Sequence, residues 1–225
     1  MNLMRYDAMN VAEREIRYAS EFIDSLRDDA NFPLISANVI LGDELYGEPY
    51  TILQVGNLDV GILGLMYTPP DRAHLRTTLF DIEDPFEKAK QMIPELRSKC
   101  DILIVLAHMT DKERWDLLDR TSGIDVLIQG KRPRGLDQPI EVQGSKTLIV
   151  ASGTRGEKLG ILRLELSPEK EIINYTGELV ALSDEIPSDS TLQAVVDTYQ
   201  QKLKETRERL RQEAQETIKP PAPQR

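Results

Sequence analysis

Two short apolar runs set the architecture of this chain. Residues 102–107 read ILIVLA and residues 124–128 read IDVLI. Each has the length of a strand and falls short of a core helix; an unbroken apolar run suits a strand buried on both faces. Between them, 111–122 holds Trp115, Leu117 and Leu118 and stops at Gly123, the pattern of one short helix. Strand, helix and strand in that order form a βαβ unit, whose crossover makes the two strands parallel. The fold class is therefore α/β. In such sheets ligands gather beyond the carboxyl ends of the strands, which here carry His108 and the loop 129–135.

The rest of the chain supplies the flanking elements. Ala12, Ile16, Ala19, Ile23 and Leu26 recur at spacings of three and four and predict a helix over 11–28. Asn10 followed by Glu13 resembles its capping box. Strands are expected at 34–39, 50–55, 59–66, 146–151, 160–166 and 171–182, the last two joined as an antiparallel hairpin through Pro168 and Glu169. A helix over 85–99 opens on Asp84 with Pro85 at its first position, and Pro94 predicts a kink. From Ser188 a long helix begins, with Leu192, Val195, Val196, Tyr199, Leu203 and Leu210 as its stripe. The expected organisation is a body over 1–185, a helix over 186–218 and a disordered tail over 219–225.

Composition excludes several function classes. A net charge of −10 repels a phosphate backbone, so no nucleic-acid partner is expected. The basic residues of the body cluster only at Lys131, Arg132 and Arg134. Two histidines, His74 and His108, and one cysteine, Cys100, leave little for a zinc, iron or copper site. Asp7 reads as a turn or cap residue, Asn38 as a loop anchor, and Cys100 as an inert thiol. No run of apolar residues is long enough to span a membrane. The opening MNLMRYDAMN lacks a secretory signal, so a cytoplasmic location is expected.

Six segments in order carry a resemblance. They are YDAMNVAEREI, NFPLISANV, DVGILGL, DILIVLAHM, SGIDVLIQGKRPRG and TLIVASGTRGEKLGILRLEL, the last with Gly153, Gly156 and Gly160. Together they resemble the calcineurin-like metallophosphoesterase family, in its 5'-nucleotidase branch. The resemblance implies an α+β sandwich of mixed sheets flanked by helices, with the long C-terminal helix appended. It also implies hydrolysis of phosphate esters by two divalent metal ions, such as manganese, zinc or iron, which activate a water and clamp phosphoryl oxygens.

Carried over residue by residue, the family's site mostly fails. Its Gly-Asn-His-Glu motif falls on Ala12, Glu13, Arg14 and Glu15, so Glu13 replaces a metal-binding Asn and Arg14 a catalytic His. Placing Asn10 as the ligand instead puts Val11 where the His belongs. His108 matches its counterpart. The closing histidine pair falls on Lys131 and Pro133. Two further metal-bearing strands would precede Tyr6, and the fold is expected to be incomplete there. No cofactor is expected; His108 and Glu13 are the weak candidates as metal ligands, and His108 and Arg14 as catalytic groups.

Two functions follow. The first is a degenerate module, with Arg14, Lys131, Arg132 and His108 forming an anion pocket or pairing with nearby acids. The second is a metal-dependent nucleotide phosphoesterase completed by strands from elsewhere. Family members are often periplasmic or extracellular, which opposes the cytoplasmic expectation. A strand near Leu3 and the run 102–107 are expected to expose a sheet edge, covered by a protein partner or by self-association.

Overall fold

The computed structural model describes residues 1–17, 20–67 and 80–218; His74 and the tail 219–225 lie outside them. The chain divides into two compact units, Met1–Ser183 and Asp184–Arg225.

In the first unit the elements run β1 (Met9–Asn10), α1 (Ser20–Asp29), β2 (Leu34–Ile35), β3 (Val39–Leu41), β4 (Glu44–Leu45), β5 (Tyr50–Val55), β6 (Leu58–Met66) and β7 (Phe80–Ile82). They continue through α2 (Pro85–Arg97), β8 (Ile102–His108), α3 (Asp111–Arg120), β9 (Val126–Gln129), β10 (Ile140–Glu141), β11 (Leu148–Val150), β12 (Lys158–Leu166) and β13 (Ile172–Ala181). A central six-stranded sheet has the order β10-β11-β9-β8-β6-β5. Its four inner strands are parallel and its two edge strands antiparallel. The βαβ unit read from the sequence is thus β8-α3-β9, and it is parallel as expected.

The two faces of this sheet are covered differently. Leu63, Leu65, Leu103, Val105, Leu127 and Ile149 share one face by register, and each is fully buried. Helices cover it: a Cβ added at Gly61 on that face would lie 3.2 Å from Leu96 of α2. Asp84 caps α2 by accepting from the Phe86 and Glu87 amides, with Pro85 at the first position, as expected. The helix runs on through Pro94. Thr110 and Glu113 form a capping box at the start of α3.

The opposite face carries Ile62, Gly64, Ile104, Leu106, Val126, Ile128 and Val150. Two separate two-stranded sheets cover it, the parallel pair β1-β2 and the antiparallel hairpin β12-β13. β1 sits over β6 and β8: Asn10 donates to the backbone carbonyls of Leu65 at 2.9 Å and Leu106 at 3.0 Å. Gly64 leaves the room for this, because a Cβ there would stand 2.6 Å from Asn10 Oδ1. β13 lies over the other side of the sheet, where Gly177 faces Pro139 beside β10.

Several expectations are corrected. Residues 11–28 are not one helix: Glu15–Arg17 is a single 3-10 turn and α1 begins at Ser20. The proposed Asn10–Glu13 capping box does not form. Asn10 is a strand residue, the Ala12 amide donates to Glu15 Oε2 at 3.1 Å, and Glu13 is drawn into tertiary contacts instead. Residues 34–39 split into two strands around Asn38. Its buried amide donates to the Met66 and Glu83 carbonyls and accepts from the Met66 N–H, a side-chain competition with strand pairing. Near Leu3 there is a 3-10 turn over Asn2–Met4, not a strand. Nor is β8 an edge: β6 and β9 flank it.

The second unit is α4 (Ser190–Ile218), whose first-turn amides at Thr191 and Leu192 donate to Asp189. Val195, Val196, Tyr199 and Leu210 on its stripe are exposed. Among the described residues no helix is long and apolar enough to cross a membrane.

Candidate functional site

At the carboxyl ends of the parallel strands the last residues of β1, β6, β8 and β9 converge. A cavity of about 730 Å³ there is lined by Asn10, Glu13, Arg14, His108, Lys131 and Arg155, among others. Glu13 follows β1, His108 ends β8, and Lys131 follows β9 through Gly130. That glycine lets the loop turn close to the imidazole, since a Cβ at Gly130 would lie 3.4 Å from His108 Nδ1.

Lys131 organises the site. Its ammonium donates to Glu13 Oε2 at 3.2 Å and stands 3.5 Å from the centroid of the Tyr67 ring. The Tyr67 hydroxyl donates to the same Glu13 oxygen at 2.8 Å. His108 Nε2 is 3.9 Å from that oxygen. The side chains of Glu13 and His108 are only 15% and 23% exposed, so this is a partly desolvated cluster in which the carboxylate is already matched by a cation. Burial pushes the His108 pKa down, and the Lys131 ammonium pushes it further the same way, against the opposing pull of Glu13. A lowered imidazole pKa favours the neutral form at pH 7. Burial likewise raises the Tyr67 hydroxyl, which keeps it a donor.

A second network braces the wall. Gln129 and Arg114 are both buried, and Arg114 donates to Gln129 Oε1 at 2.6 Å. Asp111 accepts from Arg114, Gln129 and Arg132. Arg132 lowers the Asp111 pKa most, by hydrogen bonding.

The candidate residues therefore divide. The structure brings Glu13, Lys131 and His108 together. Arg132 is turned to Asp111 and is not part of that cluster. Arg14 is an exposed side chain on the cavity lining, close enough for its charge to depress His108. Cys100 is half-buried at the opposite end of β8, with its thiol pKa raised by burial. Two contributors escaped the sequence reading. Tyr67 follows β6, at the carboxyl edge where ligands are expected, and its position was the available signal. Arg155 sits at a left-handed backbone position, φ 68°, between Gly153 and Gly156, a turn placed by glycines the sequence reading had already singled out.

These groups do not fit a two-metal centre. Among the described residues no three His, Cys, Asp or Glu side chains group as ligands. The one local carboxylate–imidazole pair, Glu13 and His108, holds an ammonium. Asn10 Oδ1 is buried without a hydrogen-bond partner, a single orphan acceptor beside a cation-filled cluster.

No family model matches the chain. It is 27% identical over 252 residues to the trifunctional nucleotide phosphoesterase protein YfkN of Bacillus subtilis, covering 94% of this chain and 17% of that protein. It is 26% identical over 229 residues to human 5'-nucleotidase, covering 90% of this chain and 40% of the relative. Among solved structures, a 5'-nucleotidase precursor from Thermus thermophilus superposes with a TM-score of 0.76 at 24% identity, covering 90% of this chain and 44% of the other. The sulfate thiohydrolase SoxB of the same organism superposes with a TM-score of 0.77 at 22% identity, covering 88% and 37%. The chain spans less than half the length of each of these proteins. Over about nine-tenths of its residues, this chain is similar in sequence to the 5'-nucleotidases and shares the fold of their solved structures.

Proposed function

We propose that the chain is a catalytically degenerate 5'-nucleotidase-like module that binds an anion and serves a complex as a scaffold. The observation that supports this best is the Lys131 ammonium seated on Glu13 and Tyr67 at the strand ends. A divalent ion on Glu13 would have to displace it or lie beside it. Two unit charges at 4 Å repel by about 4 kcal/mol at an effective dielectric of 20, and a dication by more. The ligand class is a phosphate-bearing anion. Arg14 and Arg155 are exposed residues on the cavity lining, and a guanidinium is the side-chain group suited to planar, bidentate oxyanion recognition. Lys131 and Arg132 are occupied by Glu13 and Asp111, so they hold the wall while the two arginines meet the ligand.

The test joins metal analysis of the purified chain with an assay on a chromogenic phosphate ester in manganese, zinc or magnesium. The expected result is substoichiometric metal and no turnover above background, with phosphate binding weakened at least tenfold in Arg14→Ala plus Arg155→Ala. Two tightly held metals per chain, or turnover abolished by His108→Ala, would overturn it.

A second function is favoured by one feature, the imidazole of His108 at the carboxyl end of β8, a metal-ligand type whose pKa burial pushes down. Together with relatives named as 5'-nucleotidases, it supports a metal-dependent phosphoesterase acting on nucleotides, its donor set completed by residues outside this sequence. The same assay decides between the two.

A further inference from the structure

The two edge strands of the central sheet are unlike. β10 is two residues long and carries Glu141. β5 runs for six residues, Tyr50–Val55, and none of them is charged. Shortness and charge are common means by which an edge is kept from pairing with another chain; β10 has both and β5 has neither. The long strands of the hairpin, which also have open edges, carry Lys158, Arg163 and Glu165 on β12 and Glu178 on β13. Among the described residues, β5 is thus the long edge that nothing in its own sequence protects.

Hydrogen bonds show which groups of β5 face outward. The Gly64 amide donates to the Pro49 carbonyl at 3.4 Å, whereas Asp59 on the same strand turns its N–H and C=O to Asp101. Even-numbered residues of β6 therefore face β5, and by register they meet Thr51, Leu53 and Val55. Tyr50, Ile52 and Gln54 turn their N–H and C=O groups away from β6. The Glu48 carbonyl points the same way and accepts from the Ser36 amide at 2.8 Å. From Tyr50 onward, among the described residues, no strand pairs with that side of β5. The side chains are open as well. Ile52 on the helix-covered face and Val55 on the other are 37% and 56% exposed. Lys99 reaches the Tyr50 hydroxyl at 3.0 Å, but Glu95 matches its charge at 2.6 Å.

We infer that two copies of this chain join edge to edge along β5, antiparallel about a two-fold axis, so that their central sheets run into one another. The contact is self-complementary. Tyr50, Ile52 and Gln54 of one copy meet the same three residues of the other, and each N–H and C=O finds a partner. No like charges stand opposite one another in the paired strands, and Ile52 and Val55 are drawn from water on both copies. A foreign strand is the poorer occupant, because an edge without charge offers little by which to select one, whereas an identical edge fits by symmetry. Each copy carries a net charge of −10, and that repulsion keeps the dimer weak and reversible. The inference goes beyond the proposed function and uses none of the groups at the anion site.

The test is sedimentation velocity on the whole chain over a hundredfold range of concentration, at about 0.15 M salt, where charge repulsion is screened beyond about 8 Å. The expected result is a monomer–dimer equilibrium. Gln54→Pro removes an outward N–H at a place where an edge strand tolerates proline, and Ile52→Lys sets two ammonium groups against each other across the axis. Each should weaken association at least tenfold with an unchanged far-UV circular dichroism spectrum. Ile173→Lys makes the same change of charge at an exposed residue of β13 and should leave association within twofold. Amide hydrogen exchange on the unmodified chain reads the contact directly. The amides of Tyr50, Ile52 and Gln54 should slow as concentration rises, while those of Thr51, Leu53 and Val55 are protected at every concentration. A monomer throughout the range would overturn the inference. So would a dimer that survives both β5 substitutions, or one in which the amides of Tyr50, Ile52 and Gln54 still exchange freely. None of these outcomes bears on metal content, turnover or phosphate binding, so the two proposals fail separately.

Discussion

The two faces of the central sheet are built from the same kinds of residue and finished to different standards. On the helix-covered face, Leu63, Leu103, Val105 and Leu127 are fully buried. On the other, Ile128 in the same strand as Leu127 is 39% exposed. Adjacent residues of one strand point to opposite faces, so strand composition does not explain the contrast. The covering layer does. α2 and α3 satisfy their own backbones and pack as closed units. The strand layer consists of two separate two-stranded pieces, and Ile128 beneath it stays partly uncovered. The fully buried apolar side chains are thus continuous on the helix-covered face and interrupted on the other.

Truncating the two faces should break or uphold this contrast most clearly. Leu127→Ala is expected to cost about 2–5 kcal/mol, the usual range for a buried leucine. Ile128→Ala, one residue on, should cost well under half as much. Urea denaturation read by far-UV circular dichroism measures both; equal losses would dissolve the distinction.

The Arg114–Gln129 contact should fall next. Arg114→Leu leaves the buried Gln129 Oε1 without its donor, a loss of about 1–3 kcal/mol. Arg132→Leu touches only the exposed Asp111 and should cost less than about 1 kcal/mol.

The smallest expected effect is the pH dependence at the site. The His108 pKa is lowered on folding, so near and below the ordinary value of 6.5 the unfolded chain binds more protons than the folded one. Stability should therefore fall as pH drops through 6.5 and below, and level off above it. His108→Gln should flatten that slope between about pH 5 and 7 and leave the melts above that range nearly parallel. An unchanged slope would place the acid sensitivity elsewhere.

Much of the fold was legible in sequence where local signals and tertiary packing agree. The runs at 102–107 and 124–128 became β8 and β9, and Asp84-Pro85 opened α2, because burial on both faces and capping are local facts. The misreadings arose where a side chain answers to a distant partner. Glu13 reads as a cap residue until Lys131 claims it. Asn38 interrupts a strand because Met66 and Glu83 offer it three hydrogen bonds. Of the site, His108 and Lys131 were legible from position and resemblance. Tyr67 had only its position after β6 to mark it, and its partner Lys131 lies 64 residues further along the chain.

The Glu13–Lys131 contact joins residues 118 positions apart. Closing so long a loop is slow and entropically costly, and it requires β6, β8 and β9 to be in register first. In kinetic terms the site is expected to close as a latch after the sheet has formed. Contacts absent from the folding transition state act on the unfolding rate. Lys131→Met should therefore hasten unfolding while leaving refolding near its original speed, and the site's integrity then reports how long a folded molecule lasts.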